Sequence, residues 1–235
     1  MKKIFVLLCV AALTLLLAAV SAQDVLAETS WTTQLTAHCV TVEEGRELMR
    51  GRTLFHRQIN EKSLAFYLQK KGGTVEEYIE YCAQQVLPFT EEEEKRVQDT
   101  MLWIQQLIET HGLQLPDPGT VSFVKTTGKD SSGAVGYTSE GAIFLAADYY
   151  DAASTPEDQF HLIVLHELSH CLSRLFPEYR QALYSLIHFT VLDHEIEIPE
   201  AVFSQIIANP DVEHHNSYST FTIGGEKKKT AISFF

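Results

Sequence analysis

The sequence predicts an α+β fold: a helical N-terminal part, then a small antiparallel sheet, then one long amphipathic helix. Three observations predict it. Apolar residues recur at helical spacing from Val42 to His111, and β-forming residues cluster between glycine-rich turns from Val121 to Ala147. A capped, mostly apolar helix follows, with His166-Glu167-Leu168-Ser169-His170 in its middle. The chain accordingly divides into a leader (1–22), a helical N-terminal part (23–113) and a C-terminal part (114–235) with sheet and motif.

Taken in order, Met1-Lys2-Lys3 and the apolar run Ile4 to Val20 read as the basic and hydrophobic regions of an export signal. Small residues at Val20-Ser21-Ala22 place cleavage after Ala22. At about 17 residues the run is short for a bilayer span, which needs about 20, so a retained anchor is the lesser alternative. Gln23 to Thr41 shows no period and reads as an irregular lead-in. Val42 to Lys70 carries Leu48, Phe55, Ile59, Leu64 and Tyr67 at helical spacing and breaks into two helices. Gly72-Gly73 ends it, and Thr74-Val75-Glu76-Glu77 opens the next helix with a capping-box pattern. Thr90 to His111 is a further helix, and its Glu91–Glu94 run suits the positive end of the helix dipole.

Past the Pro/Gly break at 113–119 the pattern changes. Val121–Val124 and Ala134–Tyr137 are strands separated by a turn at Gly128–Gly133, and Gly141–Ala147 is a third. Thr155 as N-cap, Pro156 at N1 and the acids Glu157 and Asp158 open the motif helix. Phe160, Ile163, Val164, Leu168 and Leu172 form its apolar face, and Arg174 and Pro177 close it. Pro177 to His188 is another helix, Glu195-Ile196-Glu197-Ile198 is extended, and Pro199 to Ala208 is helical.

The motif carries the chemistry. Histidines at i and i+4 stand one above the other on a helix, so both imidazoles can reach one Zn²⁺. Glu167 lies about 100° round the helix, beside the metal and not on it, where its carboxylate can take a proton from a zinc-activated water. Burying two histidines and a glutamate among Leu, Ile and Val is costly without a partner, and a metal is the simplest one. A pair of satisfied core histidines is the plain alternative. The stretch Ile163-Val164-Leu165-His166-Glu167-Leu168-Ser169-His170-Cys171-Leu172 resembles the extended signature of zincin metallopeptidases. The wider run from Gly133 to Asp211 resembles a group of exported bacterial metalloproteases. That resemblance implies a zincin-like catalytic part, Glu167 as general base, a peptide or protein substrate, and an edge strand that pairs with it, mapped to Gly141–Ala147.

Catalytic zinc takes three protein ligands plus water. Ser173 and Phe176 stand where the metzincin subgroup has Gly and His. The gluzincin subgroup has a downstream glutamate, so the expected metal ligands are His166, His170 and Glu195. Glu197, Glu200, Asp211, His214 and His215 remain open as alternatives for the third. Tyr184, His188, His194 and Tyr218 are candidate donors to a developing oxyanion.

Composition narrows the partners. Without residues 1–22 the chain has 16 basic groups (18 less Lys2 and Lys3) against 31 acidic ones. That excess argues against nucleic acid and against anionic membrane, with no stable membrane insertion after leader cleavage. Cys39, Cys82 and Cys171 make an odd count for an exported chain. A Cys39–Cys82 bridge would close a loop of about 43 residues, worth roughly 4 kcal/mol in the chain-entropy model. Cys171 reads as a small buried hydrophobe. The expectation is an exported zinc metallopeptidase; the alternative is an exported zinc-binding or scaffold protein that keeps the site without catalysis.

Overall fold

The computed structural model describes residues 34–231, so the expected leader lies outside the described residues. The α+β class holds, and the sheet is mixed where an antiparallel one was expected. Strand β1 (Thr36–Cys39) falls inside the supposed irregular lead-in and pairs parallel with β3 (Thr120–Thr126). A four-residue strand with only one apolar-facing pair carries too little periodicity to be read from sequence. Strand β3 pairs parallel with β5 (Ala142–Ala146), and β5 pairs antiparallel with β4 (Gly136–Ser139). The short β2 (Val86–Leu87) adds antiparallel to the end of β3.

Helices cover both faces. On one side lie α1 (Val42–Arg50), α2 (Leu54–Gln58), α3 (Glu61–Leu68) and α4 (Val75–Ala83). Val42 to Lys70 thus breaks into three helices, because Asn60 caps a third by accepting from the Ser63 amide at 2.8 Å. On the other side lie α5 (Glu91–Thr110) and the motif helix α7 (Glu157–Leu175), with the short α6 (Ala147–Tyr150) leading into it. Strand alternation divides the core. Val121, Phe123, Ile143 and Leu145 pack towards α5 and α7, whereas Val124, Phe144, Ala142 and Tyr137 pack towards α1–α4. Two full layers on one sheet bury a large apolar area, the main favourable term in folding.

Two local expectations change. The first i→i−4 bond of α7 is Phe160 N–H to Pro156 O, and Thr155 does not cap it; its hydroxyl donates to Asp148 O at 3.1 Å. Cys39 and Cys82 are both free thiols: Cys39 packs against the core on the α5–α7 side and Cys82 lies in the core under α1–α4, so the sheet separates them. Beyond α7 come α8 (Pro177–Leu186), the one-turn α9 (Glu200–Phe203) and a second, antiparallel sheet of β6 (Phe189–Val191), β7 (Ser217–Ile223) and β8 (Glu226–Thr230). No helix among the described residues is long and apolar enough to cross a membrane.

Candidate metal centre

The buried stripe of α7 that fixes its orientation is Phe160, Ile163, Val164, Leu168 and Leu172, each with almost no exposed surface. With that stripe in the core, positions 166, 170 and 174 share another face, each one turn beyond the last. His166 and His170 stand on it with their rings 4.7 Å apart, at 80° to each other, and their Nε2 atoms 3.1 Å apart. Two tetrahedral zinc ligands at about 2.0–2.1 Å stand about 3.3–3.4 Å apart, so the pair is set close to the spacing a shared metal requires. Burial pushes both imidazoles below their ordinary range, His170 to about 4, against the opposing pull of Asp211. Both rings are therefore neutral at pH 7 and offer lone pairs without first losing a proton.

Glu167 faces β4. Its carboxylate is 4 % exposed, and a Cβ on Gly136 would lie 3.3 Å from Oε1, so the missing side chain at 136 makes the space for it. Oε2 has no hydrogen-bond partner. Burial, and then the nearby Asp211 charge, holds this carboxyl well above the usual carboxylate range, with Arg174 pulling the other way. A buried, unpartnered acid beside two neutral imidazoles is costly unless something cationic joins it.

Asp211 completes the cluster. Ligand atoms of Glu167, His170 and Asp211 all lie within 4.8 Å of one another, and His166 joins through its 3.1 Å contact with His170. Asp211 arrives from irregular chain, 41 positions after His170 (211 − 170), and is held from three sides. Its Oδ1 accepts from the Thr138 N–H of β4 at 2.9 Å. Arg174 lies 3.7 Å from the same oxygen and donates to Pro210 O at 2.6 Å, and also to the Thr138 hydroxyl. Upstream, α3 ties the approaching segment: Tyr67 donates to Ala208 O at 2.6 Å and the Ala208 N–H donates to Ser63 Oγ at 3.0 Å.

Glu195, the expected third ligand, is not brought to this cluster. Its carboxylate is spent on His214 Nδ1 (2.6 Å) and on the His215 N–H (2.6 Å). The extended pair Glu195 and Glu197 is exposed, and Glu200 opens the exposed α9. Asp211, one of the open alternatives, is the acid that the fold brings beside His170. Imidazole nitrogen and carboxylate oxygen from His170, Asp211 and Glu167, with His166 next to His170, form a donor set that could hold a metal ion.

The lip also differs from expectation. Strand β5 lies between β3 and β4, so the free edge near the motif belongs to β4, and Asp211 already uses its Thr138 N–H. Of the four candidate oxyanion donors, Tyr184 alone lines the cleft of about 310 Å³ that opens beside His170. His188 and His194 are exposed, with His194 on Asp193, and Tyr218 is pulled below its ordinary range by Lys229. Cys171 is fully buried with its thiol pushed up to about 12, as its apolar surroundings require.

Comparison with known proteins finds no matching family model, curated protein or solved structure.

Proposed function

We propose that this chain is an exported zinc-dependent metallopeptidase. The observation that carries the reading is the cluster of Glu167, His170 and Asp211, with His166 in contact with His170 and with His170 and Asp211 lining an open cleft. His166, His170 and Asp211 would hold the metal. Bound zinc supplies Lewis-acid chemistry, polarising a carbonyl and acidifying a water.

The chain's own residues supply the rest. Glu167 takes a proton from the attacking water as its oxygen bonds to the scissile carbon. It then passes that proton to the amine nitrogen as the C–N bond breaks, so one carboxylate serves as base and then as acid. Its unpartnered oxygen leaves it free to do this, because no internal hydrogen bond must first be broken. Arg174 acts by positioning Asp211. Peptide or protein is the proposed substrate and zinc the proposed cofactor; nucleic acid does not fit a chain with 31 acidic against 18 basic residues. Export rests on the pattern of residues 1–22.

The test is elemental analysis of purified wild type and Glu167→Ala, together with both proteins on a mixed peptide library. One zinc in each and cleavage by wild type alone supports the reading and the base. One zinc in each with no cleavage favours a zinc-binding or scaffold protein. Absence of zinc from both after reconstitution would overturn the proposal.

A further inference from the structure

The cleft beside His170 holds two arginines in different circumstances. Arg174 is fully engaged: Glu213 lies 3.5 Å from its Nε, Asp211 3.7 Å from its Nη2, and the Pro210 carbonyl accepts from it. Arg180, on α8, has no acidic partner among the described residues. Its Nη2 donates to Asn216 Oδ1 at 2.7 Å, and its guanidinium carbon stands 4.9 Å from the Tyr184 ring centroid. Arg174, Asp211, Glu213, Arg180, Tyr184 and Asn216 all line one cavity of about 310 Å³.

The acids lining that cavity are occupied elsewhere. Asp211 is held by Thr138 and Arg174, and Glu213 by Arg174. Asp193 has a side chain 95 % exposed and hydrogen-bonded to His194 at 2.6 Å.

Arg180 is also fixed in place. Asn216 is 9 % exposed, and its amide nitrogen donates to Leu192 O at 3.0 Å while its backbone carbonyl accepts from Leu192 N–H at 2.7 Å. Its Oδ1 is thus aimed by two bonds before Arg180 uses it. An amide and an aromatic face locate the guanidinium without neutralising it, and they leave most of its five N–H donors for another acceptor. A planar fork of that kind matches a carboxylate.

We propose that Arg180 anchors a substrate carboxylate in this cleft. The inference rests on the peptidase reading for its position beside the scissile bond, and names the substrate class: short peptides with a carboxylate close to the bond that is cut. The carboxylate is either the free C-terminus or an Asp or Glu side chain. A cavity near the lower end of the about 300–1,000 Å³ usual for ligand sites suits a short segment.

Four matched tripeptides separate the sources: free C-terminus or amide, each with glutamate or glutamine beside the terminal residue. Binding to zinc-loaded Glu167→Gln protein is measured by titration calorimetry, with and without Arg180→Met and Arg180→Lys, and zinc content is checked in each. Loss of a charge-assisted hydrogen-bonded pair predicts that a carboxylate-bearing peptide outbinds its neutral match by about 10–100-fold. Arg180→Met abolishes that ratio and Arg180→Lys restores part of it. Preference for the free acid over the amide assigns the C-terminus, and preference for glutamate over glutamine assigns the side chain. Equal binding of all four, or an equal loss on all four in Arg180→Met, overturns the proposal. Cleavage of the same peptides by wild type is read separately: carboxylate-dependent binding without cleavage removes the peptidase reading and leaves the anchor standing.

Discussion

Gly136→Ala tests how closely the sheet and the Glu167 carboxylate are fitted. A Cβ added at Gly136 would lie 2.3 Å from Leu145 Cδ2, 2.9 Å from Phe144 O and 3.3 Å from Glu167 Oε1. Carbon atoms pack best at about 3.5–4.0 Å, so the first contact needs more than an ångström of movement. Leu145 is fully buried between β3 and α7, and Phe144 O belongs to a strand paired on both sides, so neither can give freely. Strand β4, on the edge, must move instead, and it carries Thr138 away from Asp211. Overpacking of this kind costs about 1–3 kcal/mol, while alanine recovers about 0.5–1 kcal/mol over glycine within a strand. At mid-range overpacking wins by about 1 kcal/mol net, which for a domain of this size lowers Tm by about 2–4 °C. Calorimetry with chelator and with saturating zinc reads both effects: a lower Tm in each, and a smaller rise on adding zinc, because the moving strand disturbs Glu167 and Asp211. A Tm at or above that of wild type in chelator would falsify the packing argument. A lowered Tm with an undiminished zinc increment would separate the strand from the metal centre.

Other expectations follow from the same geometry. Asp211→Asn raises the zinc Kd by more than the about 10–100-fold that loss of an outer partner gives, whereas Glu195→Gln leaves it unchanged; competition against a chromogenic chelator ranks them, and the reverse order restores Glu195 as ligand. Asp130 is almost fully buried with Oδ1 unpartnered, and burial holds its carboxyl above the usual range against hydrogen bonds from Thr126 and Tyr137. A raised native value means that the protonated form stabilises the fold: this contribution is whole below the unfolded value of about 3.9 and is lost as pH rises through the native one. Asp130→Asn therefore gains on wild type from about pH 4 upward, and a stability difference in urea that stays constant from about pH 4 to 8 would sink the assignment. Lys125 reaches both oxygens of Glu93 (2.6 and 2.8 Å), with side chains 11 % and 14 % exposed. Lys125→Met alone costs about 3 kcal/mol, more than the double change with Glu93→Gln, because the single change strands a charge; urea melts of the three variants check the order.

What could be read from the sequence was what local periodicity and capping encode. Thr41, Thr74 and Thr90 each accept from the amide three residues on, at the starts of α1, α4 and α5. His166, Glu167 and His170 could be read because their relation is internal to one helix, whose apolar stripe fixes which way they face. Strand β1 could not, since its partner β3 lies 84 positions on (Thr36 to Thr120), and neither could the parallel pairing of β3 with β5, which passes over β4 between them in sequence. The acid beside His170 is hidden for the same reason. The gluzincin resemblance points to a downstream glutamate such as Glu195, but a resemblance in ten residues does not say which later acid the fold brings back. Asp211 reaches the cluster because Thr138, Arg174 and α3 bind its surroundings, and no local pattern records those bonds. One signal was available: Arg174 continues the 166–170 spacing by another turn, and an arginine there predicts an acid opposite.

That spacing explains why the N-terminal helices belong to the site although none of their residues joins the cluster. A carboxylate in irregular chain loses its geometry unless its backbone is tied, because each unfixed residue retains about 1–2 kcal/mol of conformational entropy that ligation would have to overcome. Arg174 ties Pro210 and Asp211 from the motif helix, while Asn60, Ser63 and Tyr67 tie Phe203, Ile206 and Ala208 from α3. The first set fixes where the carboxylate lies relative to the histidines; the second fixes the chain leading to it. With both in place, Asp211 is positioned before any metal arrives, and ordering is not charged against binding. The N-terminal part thus holds the segment that carries Asp211, and a chain lacking it would keep both histidines and Glu167 on α7 while losing the placement of that acid.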